Sequence, residues 1–158
     1  MSPLTSLFTD LVRVETRLWN AVDDRMRAAH GMTLGQYELM QVIQRRTTTR
    51  VYDIVSDVAI TVGAASKAVD RLEAAGWCVR SANPLDRRSS LIALTPEGAR
   101  LLAAATPTLE DELAARVEGV VEASELDQLA AVLAVLRASL EEHHRGRTAS
   151  RETPGGRG

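Results

Sequence analysis

Between Thr61 and Gly98 the sequence changes its periodicity twice, and this constrains the fold more than any other feature of the chain. Thr61 offers a side-chain oxygen to cap a helix running to Ala75, and Gly76 can end that helix in the left-handed conformation. Trp77-Cys78-Val79-Arg80 is then short and β-prone. Asn83-Pro84-Leu85-Asp86-Arg87-Arg88 is rich in turn formers, and Ser90-Leu91-Ile92-Ala93-Leu94 alternates into a second strand. This segment predicts a β-hairpin with a charged tip. Thr95-Pro96-Glu97 supplies an N-cap, a proline at the first helical position and an early acid, so a new helix starts at once.

The flanking segments are helical. Leu4, Leu7, Leu11, Val14, Leu18, Val22 and Met26 recur at spacings of three and four, predicting one long amphipathic helix from Leu4 to about His30, stopped at Gly31. Thr33 caps a second helix, Leu34 to about Arg46, that buries Leu34, Tyr37, Met40 and Ile43. A polar connection, Arg45 to Arg50, leads to a short third helix at about Tyr52–Ala59 with Ile54, Val55 and Val58 on one side. Downstream, the helix from Pro96 should run toward Val121, with a bend expected at Pro107. Ser124 and Asp127 fit a capping box before a last helix whose Leu126, Leu129, Leu133, Leu136 and Leu140 are spaced 3, 4, 3 and 4. Residues 145–158, rich in Arg, Gly, Ser and Pro, read as a disordered tail.

The expected fold is therefore mainly α: a winged helix-turn-helix with a two-stranded β-hairpin wing and long helices at both ends. Within one compact domain, residues 1–32 form an N-terminal helix and 33–95 the winged helix-turn-helix. Residues 96–144 form the C-terminal helices, and 145–158 the tail.

Charge supports this division. The chain of 158 residues carries a net charge of −2, which argues at first against a polyanionic partner. Residues 33–95, however, hold 8 basic and 6 acidic side chains, whereas 96–144 hold 3 and 10. Such asymmetry turns the middle of the molecule toward a polyanion. Apolar runs fall far short of the roughly 20 residues of a membrane span, and Met1-Ser2-Pro3-Leu4 does not open a secretory signal, so a cytoplasmic protein is expected. Cys78 is the sole cysteine, which leaves no internal disulfide. There is no nucleophile elbow, P-loop or dinucleotide glycine fingerprint, so neither an enzyme nor a cofactor is expected.

Three ordered motifs carry a resemblance: Asp70-Arg71-Leu72-Glu73-Ala74-Ala75-Gly76-Trp77, then Asn83-Pro84-Leu85-Asp86-Arg87-Arg88-Ser89-Ser90, then Leu94-Thr95-Pro96-Glu97-Gly98. In order and spacing the chain resembles the MarR family of bacterial winged-helix transcriptional regulators over about residues 4–142. The resemblance implies a homodimer intertwined through its terminal helices that binds a pseudo-palindromic duplex DNA operator, and a repressor relieved by a small-molecule effector. It also implies that Asp86 holds Arg88 by a charge-assisted pair.

The residues supply the chemistry. If Ala65, Val69 and Leu72 face the core, then Gly63, Ser66, Lys67 and Asp70 face outward, with Ala64 and Arg71 to one side. Small residues let the helix approach base edges in the major groove, and Lys67 can reach a guanine acceptor or a phosphate. Val62-Gly63-Ala64 stands where the family commonly has polar or basic side chains, so thymine-methyl contacts and DNA shape should carry more of the specificity. Arg87 and Arg88 suit a narrow minor groove, and Thr61 can donate to a phosphate. Arg45, Arg46 and Arg50 are candidates for backbone contacts.

Each of these groups also has a plain reading as solvated surface. Trp19, Tyr37 and Met40 can line an effector cleft or simply pack in the core. Cys78 can be a redox sensor or a small buried hydrophobe, and His30, His143 and His144 can bind a metal or sit solvated at helix ends. Outside DNA regulation, the rival reading is a helical dimer acting as a protein-interaction adaptor.

Overall fold

The structure, a computed structural model, describes residues 2–58 and 60–151, with side chains as far as His143. Its elements are α1 (Pro3–His30), α2 (Leu34–Arg45), α3 (Val51–Val58), α4 (Val62–Ala74), β1 (Cys78–Ala82), β2 (Ser90–Leu94), α5 (Pro96–Val117) and α6 (Ala123–Arg151). The chain forms two compact units divided between Arg116 and Val117, where the sequence suggests one.

In the first unit, local chemistry sets the boundaries. Gly31 closes α1 at φ 65°, where a side chain would be strained. Thr33 and Gln36 form a reciprocal capping box at the start of α2, and Leu34 N–H donates to Asp23 Oδ1 at 2.7 Å. Asp23 also takes Arg27 Nε at 2.6 Å, so one carboxylate fixes the angle between α1 and α2. Burial opposes that charge, but the bonds from Arg27 and Leu34 outweigh it and hold the carboxyl below its usual range.

The core lies where α1, α2, α3, α4 and the hairpin meet: Met26, Met32, Met40, Ile54, Ala65, Val69 and Leu72 are wholly buried. β1 and β2 pair antiparallel in the register Cys78↔Leu94 to Ala82↔Ser90. The polar connection after α2 adds a third, single-residue rung, since Ile92 N–H donates to Thr49 O at 2.8 Å and Thr49 lies buried. The Thr49 hydroxyl has no partner there, so a buried polar oxygen goes unsatisfied. Thr49→Val keeps the branched shape and removes that oxygen. It should raise stability by about 1 kcal/mol, which urea denaturation would show as a higher midpoint.

α5 contains Pro107 and stops at Val117, short of the Val121 predicted, because Gly119 turns the chain at φ 81°. In the second unit α6 begins one residue before the predicted Ser124 cap. Glu122 N–H donates to Glu125 Oε2 at 3.2 Å, so a single side-chain bond between Glu122 and Glu125 caps the start, and no bond joins Ser124 to Asp127 among the described residues. The helix continues to Arg151, into the segment expected as tail; residues 152–158 lie outside the described residues.

Candidate nucleic-acid interface

α4 divides into two faces as its spacing requires. Ala65, Val69 and Leu72 are fully buried, while Thr61, Val62, Gly63, Ala64, Lys67, Asp70 and Arg71 are exposed and Ser66 is half-buried. Thr61 Oγ1 caps the helix by accepting Ala64 N–H at 3.2 Å, which leaves its O–H free to donate to a phosphate. A methyl group added at Gly63 would meet nothing within 4 Å. No neighbour inside the chain requires glycine there, and the open face suits close approach of another surface.

Arg80, not singled out by the sequence, ties this helix to the wing. Its guanidinium bonds Asp70 at 2.7 Å and Glu73 at 2.8 Å, and donates to Ser66 O at 3.2 Å. Partial burial opposes the charge, but the two carboxylates outweigh it and hold Arg80 firmly charged. The consequence is electrostatic: Asp70 and Glu73, which would repel a nearby phosphate, share the charge of Arg80, which offsets half of their negative charge in place. A signal existed, since Arg80 shares the inward face of β1 with Cys78 while Asp70 and Glu73 are three apart on one helix.

The wing tip is built from backbone bonds. Asn83, buried, takes Leu85 N–H on Oδ1 at 3.0 Å and donates Nδ2–H to Ser89 Oγ at 2.8 Å. Asp86 Oδ1 accepts the backbone N–H of Arg88 at 3.0 Å. This corrects the expected side-chain pair: Asp86 orders the turn beneath Arg88 and leaves its guanidinium unengaged. Among the described residues Arg87 and Arg88 make no ion pair, and both are exposed.

The arginines after α2 differ. Arg46 grips Asp57 through two bonds, at 3.0 and 2.7 Å, and Arg50 grips Asp53 at 3.2 and 3.3 Å. Only Arg45, bonded to Gln41 Oε1 at 3.1 Å, keeps clear of a carboxylate. Among the candidate contacts, the cations clear of a carboxylate are therefore Arg45, Lys67, Arg71, Arg87 and Arg88.

The three residues proposed for an effector cleft are not brought together. Met40 is fully buried, Tyr37 nearly so, and Trp19 lines a shallow depression on α1 with Glu15, Thr16 and Asn20. A separate groove of about 260 Å³ between α2 and α5 is lined by Gln41, Gln44, Arg45, Ala99, Leu102, Ala103 and Thr106. Tyr37 lies directly behind it: its hydroxyl accepts Gln41 Nε2–H at 2.7 Å and bonds Thr106 Oγ1 at 3.1 Å.

Cys78 is buried, and burial pushes its thiol up to about 11, which leaves almost no thiolate near neutral pH. His30 Nε2 bonds Thr108 Oγ1 at 2.8 Å and His143 Nδ1 bonds Ser139 O at 2.6 Å, while the His144 side chain lies outside the described residues. No helix among the described residues is long and apolar enough to cross a membrane.

Comparison with known proteins places this geometry. Residues 32–90, which include all of α2 to β1 and the wing tip, match the model of the MarR family. The multiple antibiotic resistance protein MarR of Salmonella typhimurium is 25% identical over 107 residues, 64% of this chain and 74% of that protein. Among solved structures, the transcriptional repressor CouR bound to a 23-mer DNA duplex aligns with TM-score 0.78 and 25% identity, covering 87% of this chain and 96% of that one. Sco3205 from Streptomyces coelicolor, a MarR family regulator solved in complex with DNA, aligns with TM-score 0.78 and 23% identity over 86% of each chain.

Proposed function

We propose that the chain is a transcriptional regulator of the MarR family, a reading supported by the match of residues 32–90 to that family's model, and that it works as a homodimer reading a pseudo-palindromic DNA operator, as a repressor released by a small-molecule effector. One observation carries this reading: the open face of α4 and the wing tip, where Arg87 and Arg88 make no ion pair among the described residues, are held in one unit, with Asp70 and Glu73 drawn onto Arg80. α4 would enter the major groove through Thr61, Val62, Gly63, Ala64, Ser66, Lys67 and Arg71, and the tip, ordered by Asp86, the flanking minor groove. The CouR complex supports this by similarity of fold and sequence.

Selection from a random duplex library tests it. Recovered sequences should form an inverted repeat with half-sites about 10–10.5 base pairs apart, centre to centre. Enrichment of no motif, or only of single unpaired half-sites, would overturn it.

The dimer rests on apolar surface that no chain should leave in water. On α1, Leu4, Leu7, Phe8 and Leu11 are exposed, and on α6 so are Leu129, Leu133, Leu136 and Leu140. A second copy of the chain is the occupant proposed for these stripes. Leu133→Asp would bury an unpaired charge in that interface and weaken association by several kcal/mol, about 3 or more. Sedimentation should find the wild type dimeric at micromolar concentration and the variant monomeric. The effector is assigned to the groove between α2 and α5, where Gln41, Gln44, Arg45 and Thr106 offer polar groups beside the Leu102 wall.

A further inference from the structure

Leu85 is the most exposed large hydrophobic side chain among the described residues, 94% accessible at the apex of the wing. Chance does not account well for its setting. Its backbone N–H is fastened to Asn83 Oδ1 at 3.0 Å, and Asp86 N–H donates to Asn83 O at 3.3 Å. Asn83 itself is buried and braced by Ser89. The apex is therefore a preorganised turn that points an apolar side chain outward. Just beyond it, Arg87 and Arg88 are exposed and, among the described residues, without a carboxylate partner on their guanidinium groups. An apolar point followed by two free cations, with the intervening Asp86 carboxylate held on the Arg88 N–H, matches a minor groove, whose phosphate edges are negative and whose walls are deoxyribose carbons.

We propose that Leu85 is a DNA contact, packing against the sugar walls of the minor groove that Arg87 and Arg88 flank. The inference rests on the DNA-reading function proposed above and adds a recognition element of a different physical kind. An arginine contact releases counterions and weakens with salt, whereas burial of a leucine is nearly indifferent to salt. Leu85 thus gives the wing a component of affinity that persists when ionic strength rises.

The test titrates the full-length protein against the duplex recovered by selection, at several salt concentrations. Leu85→Asn should bind about tenfold more weakly at every salt concentration, with the log–log salt slope unchanged, since two apices act in each dimer. Leu85→Met, which keeps an apolar side chain, should stay close to wild type, and Arg88→Ala should lower the slope as well as the affinity. Thermal unfolding of Leu85→Asn should match wild type, because the side chain is almost wholly exposed. Replacing the flanking adenines with 2,6-diaminopurine places amino groups on the minor-groove floor and should shrink the difference between wild type and Leu85→Asn. Equal binding by Leu85→Asn and wild type would overturn the inference, as would a Leu85→Met loss as large as that of Leu85→Asn, or an undiminished difference on diaminopurine flanks. If Arg88→Ala weakens binding while Leu85→Asn does not, only the leucine contact fails. If the wild type binds no duplex, the function itself fails.

Discussion

Gly98→Ala should destabilise the protein by about 3 kcal/mol or more, the largest loss expected from adding a single methyl group anywhere in the described chain. A Cβ at this position would sit 2.1 Å from the carbonyl oxygen of Trp77 and 2.9 Å from its carbonyl carbon. Both atoms are backbone, so no side chain can swing aside. The close approach follows from a set of bonds that join the end of α4 to the start of α5. Trp77 N–H donates to Leu72 O at 2.9 Å, and Trp77 O accepts Thr95 N–H at 3.0 Å. Thr95 Oγ1 donates to Gly76 O at 2.7 Å while accepting Gly98 N–H at 3.0 Å. The Leu94-Thr95-Pro96-Glu97-Gly98 motif is thus a junction that fixes the wing against its neighbouring helix. Urea denaturation of Gly98→Ala should show a midpoint well below wild type, and an unchanged midpoint would mean that the two backbones are not in contact.

The second large effect concerns DNA. Arg87→Ala combined with Arg88→Ala should weaken binding to the selected duplex by about 3 kcal/mol, roughly a hundredfold, with the greatest loss where A·T-rich flanks narrow the minor groove. Both guanidinium groups stand free while Asp86 orders the backbone beneath them, so the variant removes cations without disturbing a bond that holds the turn. Unfolding of the double variant should match wild type. If the wing were only a solvated turn, as in an adaptor whose hairpin never meets DNA, affinity would not change.

Much of this was legible because the determinants are local. The buried face of α4, Ala65, Val69 and Leu72, follows from helical spacing, and the stops at Gly31 and Gly76 follow from left-handed backbone that glycine tolerates. The errors arise where a distant partner decides. Thr49 reads as part of a polar connection, and only its pairing with Ile92 makes it a buried rung. The β-prone stretch begins at Trp77 in the sequence, but that residue's N–H and C=O are taken by the junction, and the strand starts at Cys78.

Arg46 and Arg50 look like free cations in sequence, yet Asp57 and Asp53 on α3 claim them. The resemblance implies a side-chain pair between Asp86 and Arg88, but the group that Asp86 holds is the Arg88 N–H, a distinction that spacing cannot make. Tyr37 and Met40 alternate between cleft and core on sequence alone, and their depth in the fold decides for packing.

The central claim is that Lys67, Arg71, Arg87 and Arg88 of two subunits together meet the phosphates of one duplex. Titration of the wild-type protein against the selected duplex from low to high salt tests this most directly. Eight cations contributing about 0.9 each set an upper bound near 7 on the fall of log affinity with log salt, and the account predicts a slope between about −4 and −7. A slope near zero on that duplex would contradict it.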